Sequence, residues 1–198
     1  LLREDLLALL AARHGHFRFE SGHHGTLWLD LELLFLQPHR IRPFAVEIAR
    51  RLRGTAVEAI CGPLVEGAFV AQMVAEELAL PFSYSEPLHN ADAAGLYTVA
   101  YRLPAPLRPT VRGKRVAIVN DVINAGSAVG ATYADLQDCD AQPIAIGALL
   151  VLGGWSAAFA AQHELRLESI AAEPSDLWTP DACPLCAAGT PLDNDRAI

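Results

Sequence analysis

Lysine is nearly absent from this chain. Of its 15 basic residues only Lys114 is a lysine, so any chemistry that requires a lysine has one candidate. Basic charge as a whole is also short, 15 Lys and Arg against 23 Asp and Glu for a formal charge of −8. That balance argues against a sequence-independent nucleic-acid binder, which needs a basic face to displace counterions. Long uninterrupted apolar runs are missing too. Residues 141–162 carry no charge, but Pro143, Gly153-Gly154, Ser156 and two glutamines break the stretch. A membrane span needs about 20 mostly apolar residues; this pattern predicts instead a buried strand over 144–152, a turn and an Ala-rich helix. The beginning, Leu1-Leu2-Arg3-Glu4-Asp5, is too acidic and too briefly apolar for a signal peptide. Without one, the four cysteines are expected as reduced thiols in a cytoplasmic protein.

What the chain has is a large apolar fraction, 52% hydrophobic against 19% charged over 198 residues. That excludes overall disorder and suits one main domain. Leu2, Leu6, Leu9 and Leu10 share one helical face. Ile41, Phe44, Ala45, Ile48, Ala49 and Leu52 repeat at three- and four-residue steps up to Gly54. A short strand over 57–61 leads through Gly62-Pro63 into a helix bearing Val70, Met73, Val74 and Leu78, and Phe82–Ser85 starts another strand. Leu96–Leu103 is expected as a strand or hairpin arm, 115–119 as a buried strand and 127–139 as a helix. Alternating strands and helices predict an α/β fold, a doubly wound, mostly parallel sheet flanked by helices. Segment 173–198, with four prolines, reads as an irregular tail on the surface.

In such a sheet ligands bind beyond the carboxyl ends of the strands. Two segments sit at such ends. Arg115–Val119 runs through Asn120-Asp121-Val122-Ile123 into the loop Asn124-Ala125-Gly126-Ser127-Ala128 and a helix. Free backbone amides and the helix dipole there favour a phosphate. The same residues also suit an ordinary cap or turn, since Asn and Asp favour both. The second is Cys61-Gly62-Pro63-Leu64-Val65-Glu66-Gly67, where glycine admits a ligand close to the backbone, or where Gly-Pro simply punctuates the chain.

Residues 116–128 resemble the phosphoribosyl-diphosphate signature of type I phosphoribosyltransferases. Further segments resemble the orotate phosphoribosyltransferase branch in order and spacing. Phe17 to Asp30 is similar to its N-terminal substrate segment, Gly62 to Gly67 to its diphosphate loop, and Trp178 to Leu192 to the tail of one bacterial subgroup. The resemblance implies a small N-terminal helix and hood over 1–36, a phosphoribosyltransferase core over 37–172 and the tail over 173–198. It implies transfer of a phosphoribosyl group from 5-phosphoribosyl 1-diphosphate to a pyrimidine base such as orotate, with Mg²⁺, by a homodimer without nucleic-acid or membrane partners. By position Asn124, Ala125, Gly126, Ser127 and Ala128 cradle the 5-phosphate. Asn120 and Asp121 face the ribose, Asp121 also the Mg²⁺ shell, and Leu64, Val65, Glu66 and Gly67 the diphosphate. Ser21, Gly22, His24 and Trp28 lie near the base.

The departures from that pattern all weaken the hold on the substrate's ribose and phosphates or on Mg²⁺. Asn120 stands where the family has an acid, Asn124 and Ala125 replace loop threonines, and Glu66 replaces a glycine of the diphosphate loop. His24 replaces a lysine and is charged only in part near neutral pH. The loop 86–95, expected to bring a cation to the leaving group, has neither Lys nor Arg, which leaves Arg102, His24 and His89 as rearranged partners. One lost charge-stabilising group costs about 3–4 kcal/mol of transition-state stabilisation. A weak transferase is therefore expected. The alternative is a phosphoribosyltransferase-fold protein that binds a nucleotide-like ligand or a protein partner without turnover.

Cys183-Pro184-Leu185-Cys186 has the spacing of half a zinc site. Completing it requires another chain or a distant histidine, and a packed pair is the preferred reading. His23-His24 is expected to be solvated and Cys61 to be core. Asp30, Glu32 and Leu33–Leu36 are expected at a subunit contact.

Overall fold

A computed structural model of the chain describes residues 2–10, 12–19, 21–88 and 100–193. In chain order the elements are α1 (Leu2–Leu9), β1 (Ala12–Arg18), β2 (His24–Leu29), α2 (Leu31–Leu34), α3 (Pro38–Leu52), β3 (Ala59–Pro63), α4 (Glu66–Leu78), β4 (Phe82–Leu88) and β5 (Ala100–Arg102). There follow α5 (Arg108–Val111), β6 (Arg115–Ile123), α6 (Ser127–Asp138), β7 (Gln142–Leu152), α7 (Trp155–Gln162), β8 (Arg166–Glu173) and α8 (Pro184–Ala187). Six strands form the central sheet in the order β5-β4-β3-β6-β7-β8. All neighbours are parallel except β4 and β5. The expected doubly wound α/β architecture is present.

Strands β6 and β7 are largely buried on both faces, which is why 115–119 and 144–152 read as near-continuous apolar runs; β6 itself extends past the expected 119 through Asn120 and Asp121 to Ile123. Side chains of β6 alternate between two cores. Ala117 and Val119 join α3 and α4 residues such as Ile48 and Val74, whereas Val116 and Ile118 join Val129 and Leu136 of α6 and Val111 of α5. The uncharged 141–162 stretch resolves into β7 and α7, as its breaks predicted. No helix of the described residues is long and apolar enough to cross a membrane.

β8 had no sequence expectation. Its residues follow no regular polar–apolar alternation beside β7, and only Ile170 and Ala171 are buried. Apart from the main sheet, β1 and β2 form a two-stranded antiparallel sheet, with a register irregularity between His14 and Phe17. The tail 174–193 is ordered. Trp178 pairs its backbone with His24 in both directions, at 2.8 and 2.9 Å.

Candidate active site

β6 delivers Asn120–Ile123 to the carboxyl end of the sheet, and the chain then turns through 124–126 into α6. The turn closes on Gly126, the residue before α6, at φ +77°. A side chain there would be strained by that backbone angle and would run into the Trp155 ring. The first-turn amides of α6 have no acceptor within the helix. They face a cavity of about 350 Å³.

All five residues Asn124–Ala128 line this cavity, together with Asn120, Val122, Ile123, Val129 and Leu152. The two-stranded sheet and the residues after it supply the opposite wall: Phe19, Ser21, Leu27, Trp28, Leu29 and Leu31. Glu66, the first residue of α4, closes a third side. A carboxylate in the first turn complements the helix dipole, a structural reason for this residue.

The remaining expected site residues are placed as follows. Asn120 is 7% exposed; its amide Nδ2 donates to the Val122 carbonyl at 3.0 Å. Its Oδ1 lies so close to Gly67 that any Cβ on that glycine would overlap it. Gly67 therefore serves the fit of α4 against β6. Asp121 is buried next to Asn120, outside the set of cavity-lining residues. Leu64 donates its amide to the Ser85 carbonyl at 2.8 Å, the Leu64–Val65 peptide is cis, and Val65 is exposed.

On the hood side, Ser21 is buried and shares a 3.2 Å hydrogen bond with His23 Nδ1. Gly22 makes the tight turn between β1 and β2 at φ +80°. Trp28 reaches the cavity with its ring stacked on Phe19 at 6.3 Å, while its indole N–H donates to Asp30 at 3.0 Å. Asp30 also accepts from Arg13 at 2.9 Å.

His23 and His24 are both buried, not solvated as expected. His24 lies against the tail, with Nδ1 3.2 Å from the Cys186 sulfur. Its pKa is below the ordinary histidine value, first because burial penalises the imidazolium and then because His16, Arg18 and His23 are close. Burial and the neighbouring groups thus disfavour the partial charge expected of His24 from its sequence position.

No family model matches the chain. Curated relatives match it along nearly its whole length. Orotate phosphoribosyltransferase of Desulforamulus reducens is 24% identical, with 96% of this chain and 94% of the relative covered. That of Thermotoga maritima is 25% identical over 98% of this chain and 96% of the relative. Among solved structures, orotate phosphoribosyltransferase from Aeropyrum pernix superposes with a TM-score of 0.65 at 20% identity, covering 87% of this chain and 93% of that one. Adenine phosphoribosyltransferase from Thermoanaerobacter pseudethanolicus gives 0.66 at 16% identity, covering 86% and 99%. The chain is similar to orotate phosphoribosyltransferases over nearly its whole length and shares the phosphoribosyltransferase fold.

On this phosphoribosyltransferase fold the cavity has an unusual electrostatic character. Among the described residues that line it there is no Lys or Arg, and Glu66 is the one carboxylate. Lys114 precedes the far end of β6, roughly 20 Å from Asn120 at the rise of an extended strand. Arg102 lies 3.8 Å from Asp135. Most of the 86–95 loop, including His89, falls in 89–99, outside the described residues. Positive potential in the described wall therefore comes from backbone amides and the α6 dipole.

The apolar lining Phe19, Leu27, Leu29, Leu31 and Leu152 escaped sequence reasoning, because apolar residues at strand ends look like core. Position alone could have flagged Leu152, at the carboxyl end of a central parallel strand.

Proposed function

We propose that this protein transfers a phosphoribosyl group from 5-phosphoribosyl 1-diphosphate to a ring nitrogen of a pyrimidine-type base, with orotate the first candidate. The observation that carries the reading is the Asn124–Ala128 loop. All of it lines one cavity at the carboxyl end of β6 with the amino end of α6 aimed at the same space. The full-length similarity to orotate phosphoribosyltransferases supports it.

In this reaction the base nitrogen forms a bond to the anomeric carbon as the bond from that carbon to the diphosphate oxygen breaks. Diphosphate departs with the electron pair, and the nitrogen's proton passes to solvent. Positive charge develops on the ribose, so the protein must hold the sugar and stabilise the leaving anion. Asn124–Ala128 hold the 5-phosphate through main-chain amides, which need no lysine. Asn120 and Asp121 flank the ribose, and Leu64–Gly67 border the diphosphate. Ser21, Gly22 and the Phe19–Trp28 stack form the base side, an aromatic face suited to a planar heterocycle.

Mg²⁺ takes oxygen ligands, usually one or two carboxylates with water and substrate phosphate completing the shell. Glu66 is the one carboxylate among the described cavity-lining residues, and Asp121 is buried next to Asn120 outside that lining. The donor set thus offers one direct carboxylate and a second only through water, within what Mg²⁺ accepts. Asp121 would hold it through water, and Glu66 tolerates an anionic leaving group only with a cation between them. When bound, Mg²⁺ supplies the charge neutralisation that the described wall lacks. Reduced turnover relative to a site with a full set of cations follows from the lost charges.

The assembly read from the family likeness is a cytoplasmic homodimer. Exposed Leu33, Leu36 and Phe69 give this chain an apolar surface beside α2 that suits a subunit contact. The division into hood 1–36, core 37–172 and tail 173–198 belongs to the same reading.

The test is a turnover assay of the full chain with Mg²⁺, 5-phosphoribosyl 1-diphosphate and orotate, uracil or adenine, alongside calorimetric titration. Nucleotide formation with a pyrimidine is expected, and Asp121→Ala should lower it by about 10²–10³. Binding without turnover would replace the transferase by a non-catalytic nucleotide binder. No binding at millimolar ligand would sink both.

A further inference from the structure

The buried histidines of the two-stranded sheet and the cysteine pair of the tail meet in space. We propose that His16, His24, Cys183 and Cys186 form a closed tetrahedral site for one Zn²⁺ ion, which fastens the C-terminal segment to the β1–β2 hairpin.

The four donor atoms all lie within 4.8 Å of one another. His16 Nε2 is 3.1 Å from His24 Nδ1, 3.4 Å from the Cys183 sulfur and 3.7 Å from the Cys186 sulfur. His24 Nδ1 is 3.2 Å from the Cys186 sulfur. Ordinary zinc bond lengths in a tetrahedron set edges of about 3.3 Å between nitrogens, about 3.6 Å between nitrogen and sulfur and about 3.8 Å between sulfurs. The four separations match those edges to within a few tenths of an ångström.

The surroundings hold the ligands in this arrangement. His16 Nδ1 is 2.8 Å from the Thr190 carbonyl. A carbonyl only accepts, so Nδ1 carries the proton and Nε2 presents its lone pair to the cluster. The backbone of His16 exchanges hydrogen bonds with Asp193, at 2.9 Å to the carboxylate and 2.7 Å from its amide. Trp178 pairs with His24 in the same two-way manner. Both histidines are thus hooked to the tail on either side of the cysteines. Cys183 precedes α8 and Cys186 lies within it, so that turn of helix directs both sulfurs one way.

The chemistry selects the ion. Two imidazoles and two thiolates in tetrahedral array suit Zn²⁺ and not Mg²⁺, which takes oxygen. Binding displaces both thiol protons to solvent, and two thiolates then cancel the charge of the ion. Neutrality permits burial, and His16, His24 and Cys183 are at most 5% exposed. With four protein ligands no position is left for substrate, so the site is structural. It lies behind the strands that carry Leu27, Trp28 and Leu29 to the cavity, and it bridges segments some 160 residues apart. The inference stands whether or not the transferase reading holds.

The experiment is elemental analysis of the purified full chain, with cobalt substitution as a second readout. About one zinc per chain is expected after desalting. Co²⁺ should give the intense visible absorption of tetrahedral coordination with a sulfur-to-metal charge-transfer band. Cys186→Ser, at the exposed ligand, should lower retained zinc at least about tenfold and abolish the charge-transfer band if Cys183 is also changed. Chelation should lower the melting temperature of the native chain and leave that of Cys186→Ser unmoved. Three results would overturn the proposal: no retained zinc after incubation with excess Zn²⁺, octahedral cobalt spectra, or full zinc retention by the Cys183→Ser/Cys186→Ser double variant.

Discussion

At the scale of single residues, two positions separate site geometry from surface electrostatics. Gly126 holds the turn that opens α6, and neither its φ of +77° nor the Trp155 ring leaves room for a methyl group. Gly126→Ala is therefore expected to lower unfolding free energy in denaturant titration by about 1–3 kcal/mol and to weaken binding of inorganic phosphate. Glu47 illustrates the opposite case. It accepts from Arg50 at 2.7 and 2.8 Å and from Arg51 at 2.8 Å, which lowers its pKa to about 2. A depressed carboxylate stabilises the fold above its unfolded pKa, and the contribution is lost as pH falls through the folded value. Arg50 is largely exposed, so solvent screening keeps the effect below about 1 kcal/mol. Glu47→Gln should cost that much at pH 7, and the deficit should shrink between pH 4.5 and pH 2 in parallel thermal scans.

Between elements, one carboxylate joins α6 to the edge of the sheet. Asp135, 6% exposed, accepts from the Leu103 amide at 2.8 Å and from Arg108 at 2.8 and 3.0 Å. Its removal leaves a buried amide and a half-buried guanidinium without their acceptor, each a loss of about 1–3 kcal/mol. Asp135→Ala should destabilise the protein by about 2–4 kcal/mol in urea unfolding. Asp135→Asn, which still accepts one hydrogen bond, should recover part of that. Since α6 presents its amino end to the cavity, a shift of this helix should also raise the KM for phosphoribosyl diphosphate more than it lowers kcat.

Over the whole molecule, the cavity draws its walls from four places far apart in the chain: the segment over 19–31, the start of α4, the β6–α6 junction and Leu152 at the end of β7. The tail holds the hairpin through Trp178, Thr190 and Asp193. Occupancy of the proposed zinc site therefore bears on one wall of the candidate active site without touching substrate. Removing the metal is expected to act on base affinity through the hairpin and to spare the phosphate loop.

Much of this was legible in the residues. Strands 115–119 and 144–152 declare themselves because parallel strands covered on both faces must be largely apolar, and α3 because its six inward residues keep helical spacing. The turn into α6 was legible as a strand–loop–helix junction, where the residues suit an ordinary cap as well as an anion. β8 was not, since its eight residues show neither regular alternation nor a continuous apolar run. Nor was the destination of His24: His16 and His24 lie on two strands of a hairpin with an irregular register, a spacing that belongs to no metal motif. Sequence alone thus determined the alternation of elements and the turn that leads from β6 into α6, because those follow from local periodicity and backbone stereochemistry. Only the tertiary structure decided which side chains meet, bringing Cys183 and Cys186 to His16 and His24, because contacts across some 160 residues depend on how the tail crosses the hairpin.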